Sequence, residues 1–322
     1  MASQRGPRSV ASRPATIRLV EPRIVRVLAP NPGPFTLEGT NTWVVGERPA
    51  VVIDPGPDDS GHILAVLDEA EPVVAILLTH RHPDHAPGAI RLAEAAGAPV
   101  YAFRPQAGEL PLADGDVVDA NGAHLHVIHT PGHTPDHVCY LLEGEGKVFT
   151  GDTVLGRGTS VIDPPDGDMA AYVRSLERLR SLDPQTIYPG HGPVIFTPRG
   201  LLDFYLRHRR DRERQVLDGL EKGPRTPEEL VPSIYADEVS PDLFPAAARS
   251  VLAHLLKLER EGRISRTGRH RDQRFDLVEE KACQRCGRPA APRSRFCRRC
   301  AFAVLQEGPL AAEPNPADRR SD

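Results

Sequence analysis

Short apolar runs alternate with polar, turn-forming segments over the first two thirds of the chain. Val73-Val74-Ala75-Ile76-Leu77-Leu78 is the most continuous of them and predicts a strand buried on both faces. Ile24–Leu28, Trp43–Val45, Val51–Asp54, Pro99–Ala102, Leu125–Val127, Val138–Leu142, Lys147-Val148-Phe149 and Thr186-Ile187-Tyr188 predict further strands. Helical periodicity occupies Ile63–Ala70, Ile90–Ala96 and Met169–Leu182, where Tyr172, Val173, Leu176, Leu179 and Leu182 share one face. Strands interleaved with amphipathic helices predict an α/β fold with helices covering the outside of the sheets.

After position 198 the pattern becomes helical. Pro198–Leu220 reads as a long charged helix. Thr226-Pro227-Glu228-Glu229 is a helix start, with proline at the first helical position and acids in the first turn. Pro245–Glu261 has an apolar stripe of Val251, Leu252, Leu255, Leu256 and Leu258, and Gly262 closes it. Arg263–Arg266 and Gln273–Val278 then frame a hairpin with the basic tip Thr267-Gly268-Arg269-His270-Arg271. Helix, helix and hairpin predict a small winged-helix unit. Its basic tip is compatible with a nucleic-acid groove, although packing at the rim of a neighbouring site is the reading we favour.

Cys283-Gln284-Arg285-Cys286 and Cys297-Arg298-Arg299-Cys300 are two C-x-x-C pairs ten residues apart. Four thiolates at this spacing predict one structural zinc, a zinc-ribbon-like knuckle over residues 281–302 whose folding free energy comes mainly from the metal. A redox dithiol is the alternative. Six arginines make this stretch basic, which suits either phosphate contacts or a solvated surface.

The chain has 322 residues, enough for a catalytic-sized domain and appendages. Its net charge of −4 hides an asymmetry. Residues 28–198 hold 9 Lys/Arg against 23 Asp/Glu, and residues 199–300 hold 23 against 16, so the basic second half points to an anionic partner. Arg outnumbers Lys 36 to 4, which together with abundant Ala and Pro we assign to base composition before function. No apolar run is long enough to span a membrane. The first 22 residues lack the apolar core of a secretory signal and are expected to be a disordered leader, as are residues 303–322 as a tail. Together these features predict a cytoplasmic protein.

Candidate chemistry gathers at the predicted strand ends. Thr79-His80-Arg81-His82-Pro83-Asp84-His85 follows the continuous apolar run, and His80 and His82, two apart, face the same way on an extended segment. Thr130-Pro131-Gly132-His133-Thr134, Thr150-Gly151-Asp152-Thr153 and Tyr188-Pro189-Gly190-His191-Gly192 each end another run. Neutral imidazoles and carboxylates so placed are what a catalytic zinc ion needs. The H-x-H-x-D-H run followed by a lone His, a lone Asp and a lone His resembles the metallo-β-lactamase superfamily, over roughly Ile24 to Phe196. The opening Asn31-Pro32-Gly33-Pro34-Phe35-Thr36-Leu37-Glu38-Gly39-Thr40-Asn41-Thr42-Trp43 is similar to the lactamase-beta-2-like subfamily, whose members carry a C-terminal winged helix. That opening suits either a pocket rim or a structural cap.

The resemblance implies an αββα sandwich over residues 23–198, a winged-helix domain over 199–279, and two zinc ions, with manganese or iron as substitutes. It implies that His80, His82 and His133 hold one metal, that Asp84, His85 and His191 hold the other, and that Asp152 bridges them. A hydroxide shared by the metals would be the nucleophile, with Asp84 orienting it or accepting its proton. His82 in place of Glu excludes the di-iron flavoprotein branch, and Asp84-His85 with Asp152 in place of Cys excludes antibiotic-hydrolysing relatives. The 38 residues between Asp152 and His191 leave no room for the inserted β-CASP domain. The subfamily includes single-strand endoribonucleases, and related proteins are thioesterases. The expected activity is phosphodiester hydrolysis of single-stranded RNA, with thioester hydrolysis on an acyl carrier or coenzyme A conjugate as the alternative. No cofactor besides metal and no membrane partner is expected, and a homodimer is a candidate state. His137 is a candidate for supporting the metal ligands, Cys139 a core residue, and His62 and His254 surface or packing residues.

Overall fold

The computed structural model describes residues 16–235, 239–268 and 273–278, together with Cys286. The chain begins with strands β1 (Thr16–Glu21), β2 (Ile24–Leu28), β3 (Asn41–Val45) and β4 (Ala50–Ile53), followed by helix α1 (Ser60–Ala70). β5 (Val73–Leu77), α2 (Gly88–Ala96), β6 (Val100–Ala102) and β7 (Leu110–Pro111) complete a seven-stranded sheet in the order β1 to β7. β8 (Val117–Ala120), β9 (Ala123–His129), β10 (Val138–Leu142), β11 (Lys147–Gly151), α3 (Met169–Ser181) and β12 (Thr186–Pro189) follow. The second sheet runs β12-β11-β10-β9-β8.

The two sheets face one another across a core that includes Trp43, Ile53 and Leu77 from the first and Tyr140, Phe149 and Tyr188 from the second. The ring of Trp43 stands edge-on to Tyr188, centroids 5.1 Å apart, a favoured aromatic geometry. α1 and α2 cover the outer face of the first sheet through Ile63, Val66, Ala89 and Leu92. α3 covers the second through Tyr172, Leu176 and Leu179. This is the αββα sandwich that the resemblance implied, and the alternation of runs fits it. Its strands are apolar on both faces because each sheet is covered twice.

α4 (Pro198–Leu220) leaves the sandwich and carries its packing onward. Its first half contributes Leu202 and Tyr205 to the sandwich, and its second half contributes Val216 and Leu220 to a separate core with α5 (Pro227–Tyr235) and α6 (Phe244–Arg260). β13 (Ile264–Thr267) and β14 (Arg274–Leu277) pair antiparallel and close that core with Ile264 and Phe275. The unit is a winged helix, and it is fastened to the sandwich: Ala253 of α6 packs among the α3 and α4 residues, Arg260 pairs with Asp168 at 2.5 Å, and Arg249 pairs with Asp163.

Three strands differ from the sequence expectation. Thr16–Glu21, assigned above to the leader, pairs with β2 as an edge strand, its exposed Ile17 and Leu19 giving no inward alternation to read. β7 is two exposed residues held by pairing to β6, and β8 exposes Val117 while setting Val118, alone among its described side chains, against the core. The four-cysteine knuckle and the tail lie outside the described residues except for Cys286, which is exposed. Among the described residues no helix is long and apolar enough to cross a membrane.

Candidate metal centre

Each of the four motifs emerges where a strand ends at the same edge of the sandwich. Thr79–His85 follows β5, His133 follows β9, Asp152 follows β11 and His191 follows β12. β4 with β5, and β11 with β12, are parallel pairs, so their C-terminal ends meet on one side. All seven residues come together. Ligand-capable atoms of His80, His82, His133 and Asp152 form one group within 4.8 Å of one another, and those of Asp84, His85 and His191 form a second. Either group is able to hold a metal ion.

The protonation pattern tests whether a cation fits. His85 donates from Nδ1 to Asp54 Oδ2 at 2.8 Å. His133 donates from Nδ1 to the carbonyl of Val161 at 2.9 Å, and His191 from Nδ1 to that of Gly39 at 3.2 Å. His80 Nδ1 lies 3.0 Å from Thr79 Oγ1, whose own proton goes to Asp54 Oδ2 at 2.6 Å. These outward bonds put a proton on each Nδ1 and turn the Nε2 atoms inward, where each is free to ligate once it carries no second proton. Inside, His85 Nε2 meets His191 Nε2 at 3.1 Å, and His80 Nε2 and His133 Nε2 each meet His82 Nδ1 at 3.0 Å. Ring nitrogens this close are held together by a shared proton or by a cation among them. Asp152 spans both groups, with Oδ1 at 3.4 Å from both His85 and His191 and Oδ2 at 3.6 Å from His133. Its buried Oδ1 has no hydrogen-bond donor. The donor set fits cations.

Electrostatics follow from that crowding. Burial, and then the neighbouring His85, push His80 well below the ordinary imidazole range. Burial opposes ionisation of Asp152, but His191 and His85 outweigh it and hold the carboxyl well below its usual range. For Asp84, burial is likewise outweighed by His191 at 3.1 Å, so it is a carboxylate at neutral pH.

Other residues support the centre. Asp54 takes bonds from Thr79 N, Thr79 Oγ1 and His85. The sequence marked it only as a strand end; its place, one residue beyond an apolar run that pairs with the metal-motif strand, was the available signal. His137 accepts from Asp152 N at 3.0 Å and stacks on His80, which is the supporting contact anticipated for it. Cys139, His62 and His254 are buried, as packing residues are. In the Asn31–Trp43 opening, Asn41 donates to the carbonyls of Pro189 and Gly192 at 2.9 Å each, and Trp43 Nε1 to that of Pro189. Its N-terminal part, Pro34, Phe35 and Leu37, forms a rim. The segment is both cap and rim.

That rim borders a cleft of about 510 Å³ with His133 and Asp152 in its wall. Leu155 and Val161, Leu201 and Phe204 of α4, and Tyr235 and Leu243 of the winged helix make most of it apolar. The winged helix therefore builds one side of the cleft.

Residues 35–113 and 102–191 match the sequence model of the Metallo-beta-lactamase superfamily, and residues 226–273 that of the Beta-lactamase associated winged helix domain. A Beta-lactamase-like protein 2 homolog of Drosophila melanogaster is 37% identical over 292 residues, covering 83% of this chain and 97% of its own. The chain belongs to the metallo-β-lactamase superfamily. It has the fold of that hydrolase family, a His/Asp site able to bind metal and the associated winged helix. An Atrochrysone carboxyl ACP thioesterase of Aspergillus chevalieri is 37% identical over 259 residues, covering 74% of this chain and 82% of its own. Among solved structures, a Beta-lactamase domain protein from Burkholderia ambifaria superposes with a TM-score of 0.71 at 22% identity, covering 83% of this chain and 96% of that one. That last likeness concerns the fold alone.

Proposed function

We propose that this protein hydrolyses acyl thioesters at a site holding two divalent cations, zinc in the first instance. The observation that carries the reading is the largely apolar cleft opening at His133 and Asp152, which suits an acyl chain. The basic C-terminal half suggested single-stranded RNA, but five of the described arginines there are engaged with carboxylates: Arg249 with Asp163, Arg260 with Asp168, Arg263 with Glu213, Arg266 with Glu259 and Arg274 with Glu229. Relatives named as thioesterases support the same choice.

In this reading His80, His82, His133 and Asp152 would hold one cation and Asp84, His85 and His191 the other, with Asp152 also within reach of the second group. What the cations supply when bound is Lewis acidity toward a carbonyl and toward water. The cleft seats the acyl chain and excludes bulk solvent from the carbonyl. Asp84, ionised and a quarter exposed, accepts at its carboxylate the proton lost by the attacking water and returns it to the departing sulfur. The products are a carboxylic acid and a thiol.

The test is hydrolysis of an acyl-coenzyme A and of a generic single-stranded RNA by the zinc-loaded protein, with Asp152→Ala as control. Thioester turnover abolished by the substitution is expected. RNA cleavage alone, abolished in the same control, would overturn the proposal.

A further inference from the structure

The cleft contains a cation that thioester hydrolysis as described does not use. Arg209, on α4, lines the cleft and is 3% exposed. Its Nη2 donates to the carbonyl of Ser160 at 2.6 Å, and its guanidinium carbon stands 5.0 Å from the ring centroid of Tyr172. Its Nε has no acceptor, and among the described residues no carboxylate pairs with it. A guanidinium taken out of water without a counter-charge is costly, and the Ser160 carbonyl and the Tyr172 ring supply no negative charge to offset it. His208, also in the cleft wall, is pushed down to about 4, and the buried His254 well below the imidazole range. Burial is the larger cause for both and the charge of Arg209 the next. Both rings are therefore uncharged, and among the described residues no carboxylate offsets the charge of Arg209.

The position of Arg209 says where on a substrate a negative group would be. Ser160 accepts from Arg209 through its carbonyl and donates through Oγ to the backbone carbonyl of Asp152 at 2.5 Å. One residue thus separates the guanidinium from the metal centre, and His133, Asp152, Ser160 and Arg209 border the same cleft. An anion held there would share the cleft with the metal centre, within the reach of a short acyl chain. The phosphates of a coenzyme A or carrier-protein arm are removed from the thioester sulfur by the whole pantetheine chain. A carboxylate on the acyl group fits this spacing.

We propose that Arg209 forms an anion subsite in the cleft and selects thioesters whose acyl chain ends in a carboxylate. The choice of substrate rests on the thioesterase reading; the anion site does not.

Two measurements on the full metal-loaded chain test the proposal and keep the two readings apart. The first compares kcat/KM for glutaryl and butyryl thioesters, each on coenzyme A and on N-acetylcysteamine, which lacks phosphate. A preference for glutaryl of at least about tenfold on both carriers is expected, as for a charge-assisted bidentate contact. Arg209→Met should erase the preference through KM, and Arg209→Lys should restore part of it. Equal rates for the two acyl groups in the wild-type protein would overturn the proposal. So would a preference confined to coenzyme A, which would assign the anion to the carrier phosphate. The second is calorimetric binding of free glutarate and butanoate. Glutarate should bind more tightly to the wild-type protein, with the difference lost in Arg209→Met. This stands even if no thioester is hydrolysed, an outcome that would sink the thioesterase reading alone. Equal binding of the two acids to the wild-type protein would sink the anion site, whether or not Arg209→Met folds.

Discussion

The carboxylate of Asp54 lies 2.8 Å from Nδ1 of His85 and is almost wholly buried. With φ of 52°, Asp54 also sits in the left-handed region that side chains other than glycine rarely adopt. The strain places one carboxylate where it takes protons from His85 and from both donors of Thr79, whose oxygen in turn meets His80. One buried group thereby aims an imidazole from each half of the centre. Asp54→Ala should weaken cation binding about 10- to 100-fold while the protein stays folded. Titration with a competing chelator measures this; unchanged affinity would show that the imidazoles hold their orientation without it.

Gly190 is required by space rather than by backbone freedom. A Cβ there would stand 2.8 Å from both Asp152 Oδ1 and His85 Cε1. Gly190→Ala should therefore reduce zinc content and hydrolysis together, with thermal stability of the metal-free protein little changed. Full zinc occupancy in the purified variant would contradict the expectation.

Asn41 ties the first sheet to the loop that presents His191. It bridges two buried carbonyls, and its backbone N–H bonds to Gly190. Asn41→Ala strands those acceptors and should cost about 2–3 kcal/mol of stability. Urea unfolding of the metal-free protein reads this directly, and a loss under about 0.5 kcal/mol would mean that solvent replaces the amide.

His62 offers a pH test outside the centre. It is fully buried, its Nε2 lies 2.9 Å from Thr42 Oγ1, and burial pushes its pKa down to about 4. The unfolded chain then binds a proton near the ordinary imidazole pKa of about 6.5 that the folded chain refuses. Stability is fully present above that value and falls with decreasing pH until about 4, where the folded form also protonates. The slope amounts to roughly 1.4 kcal/mol per pH unit for one proton. His62→Gln should remove this component, so that the variant's stability falls less steeply between those pH values. Parallel curves for the two proteins would refute the assignment.

The sandwich strands and the metal motifs were legible because both are local. A buried strand must be apolar along its length, and a ligand at its end must be His or Asp. Thr79 to His85 and the three later motifs therefore stand out without any knowledge of what they face. β1, β7 and β8 were not legible, because edge strands are held by backbone pairing that any sequence can supply. The roles of Asp54 and Asn41 were hidden for another reason: their partners, His85 and the Pro189–Gly192 loop, are distant along the chain.

The charge count illustrates the limit most clearly. From the sequence, an excess of arginine after position 198 pointed toward nucleic acid. Folding pairs Arg249 and Arg260 with acids of the catalytic domain and buries Arg209 beside Ser160. Residue identity alone determined that the chain builds an α/β fold with candidate metal ligands at its strand ends, since strand periodicity and ligand chemistry are properties of single segments, and the αββα arrangement came from the resemblance. Only the tertiary structure decided that the winged helix walls a largely apolar cleft and that Arg209 is buried there with no carboxylate beside it among the described residues, because those depend on what meets across the fold.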